Sequence, residues 1–305
     1  MQGQTQRAKE LMNRLRTGFL LCDGGYGAML RAAGLKPGEC EELLNLTAPE
    51  RVAALHRAFL EAGAQIIETN TFQANRISLG RAGLADRAAE VNAAAAQIAR
   101  ETAATRAFVA GSIGPTGHLL EPLGELSRRE AADAFSEQAA ALAQSGVDFF
   151  IVETFVDLEE IRLAITAARE TGLPVAASLA FDPSGRTAFG VSASQAAAAL
   201  PEFGADIIGA NCGTVSPQEM EGILAKMKAG TGLPLLAQPN AGRPQLVGNA
   251  TVYPETPEAM GEAAARFRQL GVSLIGGCCG CRPEHIQAMA AKLEELYLVE
   301  GPGSD

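Results

Sequence analysis

The sequence predicts an α/β protein folded as a (β/α)8 TIM barrel, and three observations predict it. Short apolar runs recur along the chain, and six of them follow a helix-like segment that ends in Gly, the usual residue just past a helix end. The runs are continuous rather than alternating, as in strands buried on both faces of a parallel sheet. Eight such runs in 305 residues match a barrel of eight β-then-α units in count and length. A doubly wound sheet has about five or six strands.

Taken in order, Met1–Arg16 is polar and helical in pattern with no apolar h-region, which predicts an N-terminal helical extension and no secretory signal. The runs Phe19–Cys22 and Gln65–Glu68 are the first two strands, the second following Glu61-Ala62-Gly63. Phe108-Val109-Ala110 is the third and Val147–Val152, after Ser145-Gly146, the fourth. Pro174–Ala177 follows Thr171-Gly172, Ile207-Ile208 follows Phe203-Gly204, Pro234–Ala237 follows Thr231-Gly232, and Val272–Ile275 follows Leu270-Gly271. Capping boxes at Thr47–Glu50, Ser127–Glu130 and Ser216–Glu219 mark helix starts. No linker interrupts the pattern, so residues 1–298 are expected as one barrel domain and 299–305 as a tail or linker.

Composition excludes several classes. Net charge is −10 and no Lys/Arg-rich run occurs, which argues against nucleic acid and anionic membrane as partners. No segment approaches the length of a transmembrane helix. Six cysteines in a long chain of cytoplasmic type suggest metal binding or catalysis more than a disulfide framework.

Chemistry in a barrel sits at the C-terminal ends of the strands. Those positions carry Asp23-Gly24-Gly25, Glu68–Phe72, Gly111–Gly117, Glu153-Thr154-Phe155, Phe181-Asp182, Asn211-Cys212-Gly213, Gln238–Gly242 and Gly277-Cys278-Cys279-Gly280. Strands 6 and 8 are separated by one strand, so Cys212 can face Cys278 and Cys279. Three thiolates suit Zn²⁺ and leave a fourth position open, the mark of a catalytic rather than a structural site. Such a complex is a poor Lewis acid for water but suits holding a substrate thiol as a nucleophilic thiolate. The residues therefore point to transfer of an electrophilic carbon group onto a thiol. Cys281 forms a CxxC pair with Cys278, and that spacing also allows a disulfide, redox chemistry or a fourth zinc ligand. Cys22 and Cys40 read as packing cysteines.

Asp23 and Glu153 can bind a substrate ammonium group, or cap helices and stabilise loops. Asn70, Asn211 and Asn240 can orient polar groups of a substrate or satisfy rim backbone. Gly111–Gly117 lacks GK[ST] and is not a phosphate loop; a turn or an anion nest for a carboxylate fits it. His56 lies mid-helix and reads as structural.

With these residues assembled, the chain resembles the homocysteine S-methyltransferase family over nearly its whole length. The likeness is carried by Asp23-Gly24-Gly25, Glu68-Thr69-Asn70-Thr71-Phe72, Gly114-Pro115-Thr116-Gly117, Glu153-Thr154-Phe155, Asn211-Cys212, Pro239–Gly242 and Gly277–Gly280. Asn240–Pro244, Thr251–Pro254 and Pro122-Leu123-Gly124 point within it to the N-terminal homocysteine module of cobalamin-dependent methionine synthases. The resemblance implies a catalytic zinc on Cys212, Cys278 and Cys279, with the homocysteine sulfur in the open position. It also implies that Asp23, Gly24 and Glu153 hold the amino acid end, with Ser112 and Asn70 as further candidates. Cys281 stands where the family usually has a small polar residue. The implied reaction is methyl transfer to homocysteine giving methionine, from methylcobalamin on a separate module or corrinoid protein. The alternatives are a stand-alone enzyme using S-methylmethionine or betaine, the same chemistry on another thiol or selenol, and a non-catalytic barrel with a structural zinc or redox CxxC site.

Overall fold

The computed structural model describes residues 2–300 apart from Ala33, Pro37 and Asn249; most of the expected tail, 301–305, lies outside the described residues. All eight expected strands form: β1 (Leu20–Leu21), β2 (Ile66–Glu68), β3 (Phe108–Ile113), β4 (Phe149–Phe155), β5 (Val175–Leu179), β6 (Ile207–Asn211), β7 (Leu235–Gln238) and, after a hairpin of β8 (Gln245–Val247) and β9 (Ala250–Val252), β10 (Val272–Ile275). They pair in parallel in the order β1-β10-β7-β6-β5-β4-β3-β2. The ring closes between β1 and β2 through a parallel bridge of Cys22 with Ile66, and the Gln65 amide donates to the Leu21 carbonyl at 2.7 Å. The fold is a (β/α)8 barrel.

Period-2 alternation within each strand divides the core in two. Leu20, Ile66, Phe108, Phe149, Ile207 and Leu274 face one another inside the barrel, while Leu21, Ile67, Val109, Phe150, Ile208 and Ile275 face the helices. Both sets are buried, which is why the runs read as continuously apolar. The helices before the third strand are α1 (Gln2–Thr17), α2 (Tyr26–Ala32), α3 (Leu44–Thr47), α4 (Pro49–Glu61), α5 (Arg76–Gly80) and α6 (Ala88–Ala103). After it come α7 (Arg128–Gln144), α8 (Leu158–Arg169), α9 (Ala193–Glu202), α10 (Pro217–Lys228), α11 (Pro257–Gln269) and α12 (Pro283–Glu300). Helix α1 is the expected extension, and it closes the bottom of the barrel. Its Leu11 and Leu15 join the interior cluster, and Arg7 pairs with the buried Asp148 at 2.9 Å.

Five of the six glycines expected at helix ends, Gly63, Gly146, Gly172, Gly204 and Gly271, have φ between 80° and 103°; Gly232 is not among them. The boxes at Ser127 and Ser216 form with both reciprocal bonds, and a further one forms at Ser192 with Gln195. The box at Thr47 does not form. Thr47 is the last residue of α3, its hydroxyl donates back to the Leu43 carbonyl at 3.1 Å, and Ala48 takes the N-cap position. A short preceding helix claims the residue that the local pattern assigns to a cap.

The β8–β9 hairpin lies in the connection between β7 and α11, and the apolar runs do not predict it. Its signal is present in the sequence all the same: apolar and polar residues around the Gly248-Asn249 dipeptide.

Candidate metal centre

Strands β6 and β10 deliver three thiols to one point above the barrel. The Sγ atoms of Cys212 and Cys279 are 3.9 Å apart, and those of Cys212, Cys278 and Cys279 all lie within 4.8 Å of one another. Thiolates bound at ~2.3 Å to a tetrahedral Zn²⁺ sit roughly 3.8 Å apart, so the sulfur spacing fits that ion. Cys281 is outside the group. It is fully buried, and its thiol is directed to the Pro239 carbonyl at 3.5 Å.

The backbone explains how the cysteines of two strands reach one point. Cys212 adopts φ 52°, followed by Gly213 at φ 74°. The left-handed pair turns the chain sharply at the end of β6, at a cost on the order of 1–3 kcal/mol for the non-glycine residue. A side chain at Gly213 would stand 2.2 Å from the Phe181 carbonyl oxygen, so the second position tolerates only glycine. The segment after β10 is hydrogen-bonded on both sides. Cys278 N–H donates to the Pro239 carbonyl at 2.8 Å, Gly277 N–H to the Asp23 carbonyl at 2.9 Å, and Gly25 N–H to the Cys281 carbonyl at 3.1 Å. Asn240 staples the two cysteine loops: Cys279 N–H donates to its Oδ1 at 3.1 Å, and its Nδ2 donates to the Gly213 carbonyl at 2.9 Å.

The three thiols share charge unequally. Hydrogen bonds from Cys212 and then Cys278 draw the Cys279 thiol far below its usual range. Cys278 is pushed well above it by its bonds to Cys212 and Cys279 and by burial. One thiolate stabilised by two thiol donors is the arrangement that a divalent cation converts to three thiolates.

A second group of buried acids lies beside the thiols. Asp23 Oδ2 accepts from the Tyr26 hydroxyl at 2.5 Å and from the Glu68 amide at 2.9 Å. Gln238 Nε2 donates to Glu68 Oε1 at 2.5 Å. Glu153 accepts from the Ser112 hydroxyl at 2.7 Å and from Asn211 Nδ2 at 3.1 Å. Burial pushes Asp23 and Glu68 up to about 7, and burial followed by the charge of Glu68 pushes Glu153 well above the carboxylate range. Carboxyls held in this state give up their protons when a cation enters among them. Asn211 joins the two groups, its Oδ1 held by Ser178 at 2.7 Å and its Nδ2 lying 4.0 Å from Cys278 Sγ.

The matching family model is that of homocysteine S-methyltransferase, over residues 20–293. The chain belongs to the homocysteine S-methyltransferase family. Similar relatives include methionine synthases of Mycobacterium leprae (strain TN) and Mycobacterium tuberculosis (strain ATCC 25618 / H37Rv), each 34% identical over 94% of this chain. Those matches take in 25% and 26% of the relatives, so the chain spans about a quarter of the length of the curated relatives it matches. Among solved structures, the metallated form of the homocysteine methyltransferase MmuM from Escherichia coli aligns with TM-score 0.78 at 21% identity, over 94% of this chain and 99% of that one. Its oxidized form aligns with TM-score 0.76, over 90% of this chain and 96% of that one. At that identity the likeness shows a shared barrel.

Of the residues expected in this family member's site, Cys212, Cys278 and Cys279 meet, Ser112 meets Glu153, and Asp23 packs on Glu68 in the same group of buried acids. Gly24 lies where a Cβ would be 2.6 Å from the Cys281 carbonyl oxygen, so it lets the first loop pack on the cysteine segment. Asn70 is turned elsewhere: its Nδ2 donates to the Glu41 carbonyl at 2.9 Å and to Asn45 Oδ1 at 3.1 Å, which braces the loop after β1. The Gly111–Gly117 segment does bind a carboxylate, but the chain's own: Thr116 N–H donates to Glu160 Oε1 at 2.8 Å. Sequence reasoning assigns no role to Glu68. The available signal is an acid ending a buried strand, since burial on both faces leaves it only the barrel mouth.

Proposed function

We propose that the chain transfers a methyl group to the thiolate of homocysteine, forming methionine, with Zn²⁺ held by Cys212, Cys278 and Cys279. The observation that carries this reading is the three-sulfur group at the ends of β6 and β10, with Cys281 directed away from it. Bound there, Zn²⁺ supplies a soft cation that keeps a substrate thiol deprotonated at neutral pH and still nucleophilic. The rest belongs to the chain. Asp23 and Glu153 receive the substrate ammonium, and Glu68 adds a third carboxyl to the same wall. Ser112 and Asn211 fix the direction of Glu153. The thiol proton leaves on binding. A carbon–sulfur bond then forms as the methyl–donor bond breaks, and the electron pair of the broken bond stays with the donor. Holding both reactants in line supplies several kcal/mol of the barrier.

The donor in this reading is a methyl-corrinoid module or protein. Among the described residues, six of the eight exposed large apolar side chains stand on βα loops around the mouth: Leu119, Leu123, Phe189, Leu246, Val247 and Val252. A rim of that kind suits a macromolecular surface better than S-methylmethionine or betaine. The working unit is the barrel with its N-terminal helix, residues 1–298, in the cytoplasm, where thiols stay reduced. The test is metal analysis with turnover. One zinc per chain is expected, with zinc and activity both lost in Cys212→Ala and Cys279→Ala; full turnover by zinc-free protein overturns the mechanism. Running methylcobalamin, S-methylmethionine and betaine in parallel identifies the donor.

A further inference from the structure

We propose that Tyr26 and His56 are positioning residues that hold Asp23 as a carboxylate for the amino group of the substrate. The inference rests on the reading above, in which Asp23 receives that group. Tyr26 opens α2, and its hydroxyl lies among three groups: Asp23 Oδ2 at 2.5 Å, the Glu68 carbonyl oxygen at 2.8 Å and His56 Nδ1 at 3.0 Å. Its ring is fixed from two sides, with centroids 5.5 Å from His56 and 5.8 Å from Phe59.

The protons can be assigned. His56 is fully buried, and burial lowers it to about 3, so the ring is neutral near pH 7. A neutral imidazole has one N–H. Nε2 has no partner among the described residues, so the proton sits on Nδ1, which has one. His56 therefore donates to the Tyr26 oxygen, and Tyr26 donates onward. Of its two acceptors, the carboxylate takes the charge-assisted bond. The chain His56–Tyr26–Asp23 thus delivers a fixed donor to Asp23 Oδ2.

Asp23 needs that donor. Its carboxyl is packed with Cys22 at 3.4 Å on Oδ1 and with the Glu68 amide on Oδ2, while Glu68 and Glu153 oppose its charge. Among the groups that favour its ionised form, Tyr26 is the foremost. Without it, protonated Asp23 can no longer pair with an ammonium.

The test measures binding to the zinc-loaded chain by calorimetry, using homocysteine and 4-mercaptobutyrate, which lacks only the amino group. Tyr26→Phe is expected to raise the homocysteine dissociation constant about tenfold at pH 7. The defect should narrow at pH 9, with 4-mercaptobutyrate affinity and zinc stoichiometry unchanged. His56→Leu should behave alike, and His56→Asn, which restores a donor near Nδ1, should recover most of the affinity. Equal loss for both ligands, or homocysteine binding by Tyr26→Phe that matches wild type at every pH, overturns the proposal. Asp23→Asn separates it from the underlying reading. If that variant binds homocysteine normally, the assignment of Asp23 fails; if it does not and Tyr26→Phe does, only the positioning role fails.

Discussion

Asn211 and Cys212 are consecutive, yet they serve different halves of the site. Asn211 ends β6 in regular geometry and holds Glu153 at 3.1 Å, while Cys212 turns left-handed and swings its sulfur toward Cys279. One peptide bond therefore separates the sulfur site from the acid site, and a change at either reaches the other. The acids themselves set a pH dependence. Glu68 has its carboxyl raised to about 7 by burial, then by the charge of Asp23. The folded state accordingly binds more protons than the unfolded one between the ordinary carboxylate range and pH 7. Its contribution to stability is fully present below that range and is lost as pH rises toward 7, on the order of 1.4 kcal/mol for each pH unit crossed. Glu68→Gln removes the penalty. Its melting temperature in metal-free, substrate-free protein, relative to wild type, should rise between pH 5 and pH 8; a constant difference would contradict the assignment.

At the level of elements, identical local patterns have different consequences. Ser127 and Thr47 both begin an S/T-x-x-E sequence, but only Ser127 bonds the N3 amide. Ser127→Ala should cost about 1 kcal/mol in chemical denaturation, and Thr47→Ala a few tenths at most. Equal effects would show that the box at Thr47 forms in solution. Helix α1 is held more firmly than a surface extension. Its Leu11 is fully buried inside the barrel floor, and Asp148 beneath it accepts from both Arg7 and Arg100. Leu11→Ala is expected to cost about 2–5 kcal/mol, measured in the same way, which makes the extension part of the cooperative unit.

The whole molecule separates stability from chemistry along the barrel axis. The bottom is sealed by α1, and the mouth carries the thiols, the acids and the exposed apolar loops. Replacing Leu246 and Val247 with Asp should leave zinc content and homocysteine affinity unchanged, because neither residue touches the site. Turnover with a corrinoid-protein donor should fall at least tenfold. Unchanged turnover with that donor would remove the β8–β9 hairpin from docking.

The barrel, and the level at which its chemistry sits, can be read from the order of residues alone. Strands buried on both faces must be continuously apolar, and the polar residues that end them can lie only at the mouth. The candidate set of Cys212, Cys278 and Cys279 is legible in the same way, since soft ligands two strands apart are brought within reach by parallel pairing. The direction of each side chain is not legible there and emerges with tertiary packing. Cys281 shares a CxxC with Cys278 but points to Pro239, and Asn70 shares a motif with Glu68 but braces Asn45. Thr47 loses its cap to a helix that no apolar period announces. The grouping of Asp23, Glu68 and Glu153, and the bond between His56 and Tyr26, join residues that are far apart in sequence. Local pattern fixes where a residue stands along its strand or helix. Which neighbour it meets depends on strand register and loop packing, and those are settled only when the ring closes.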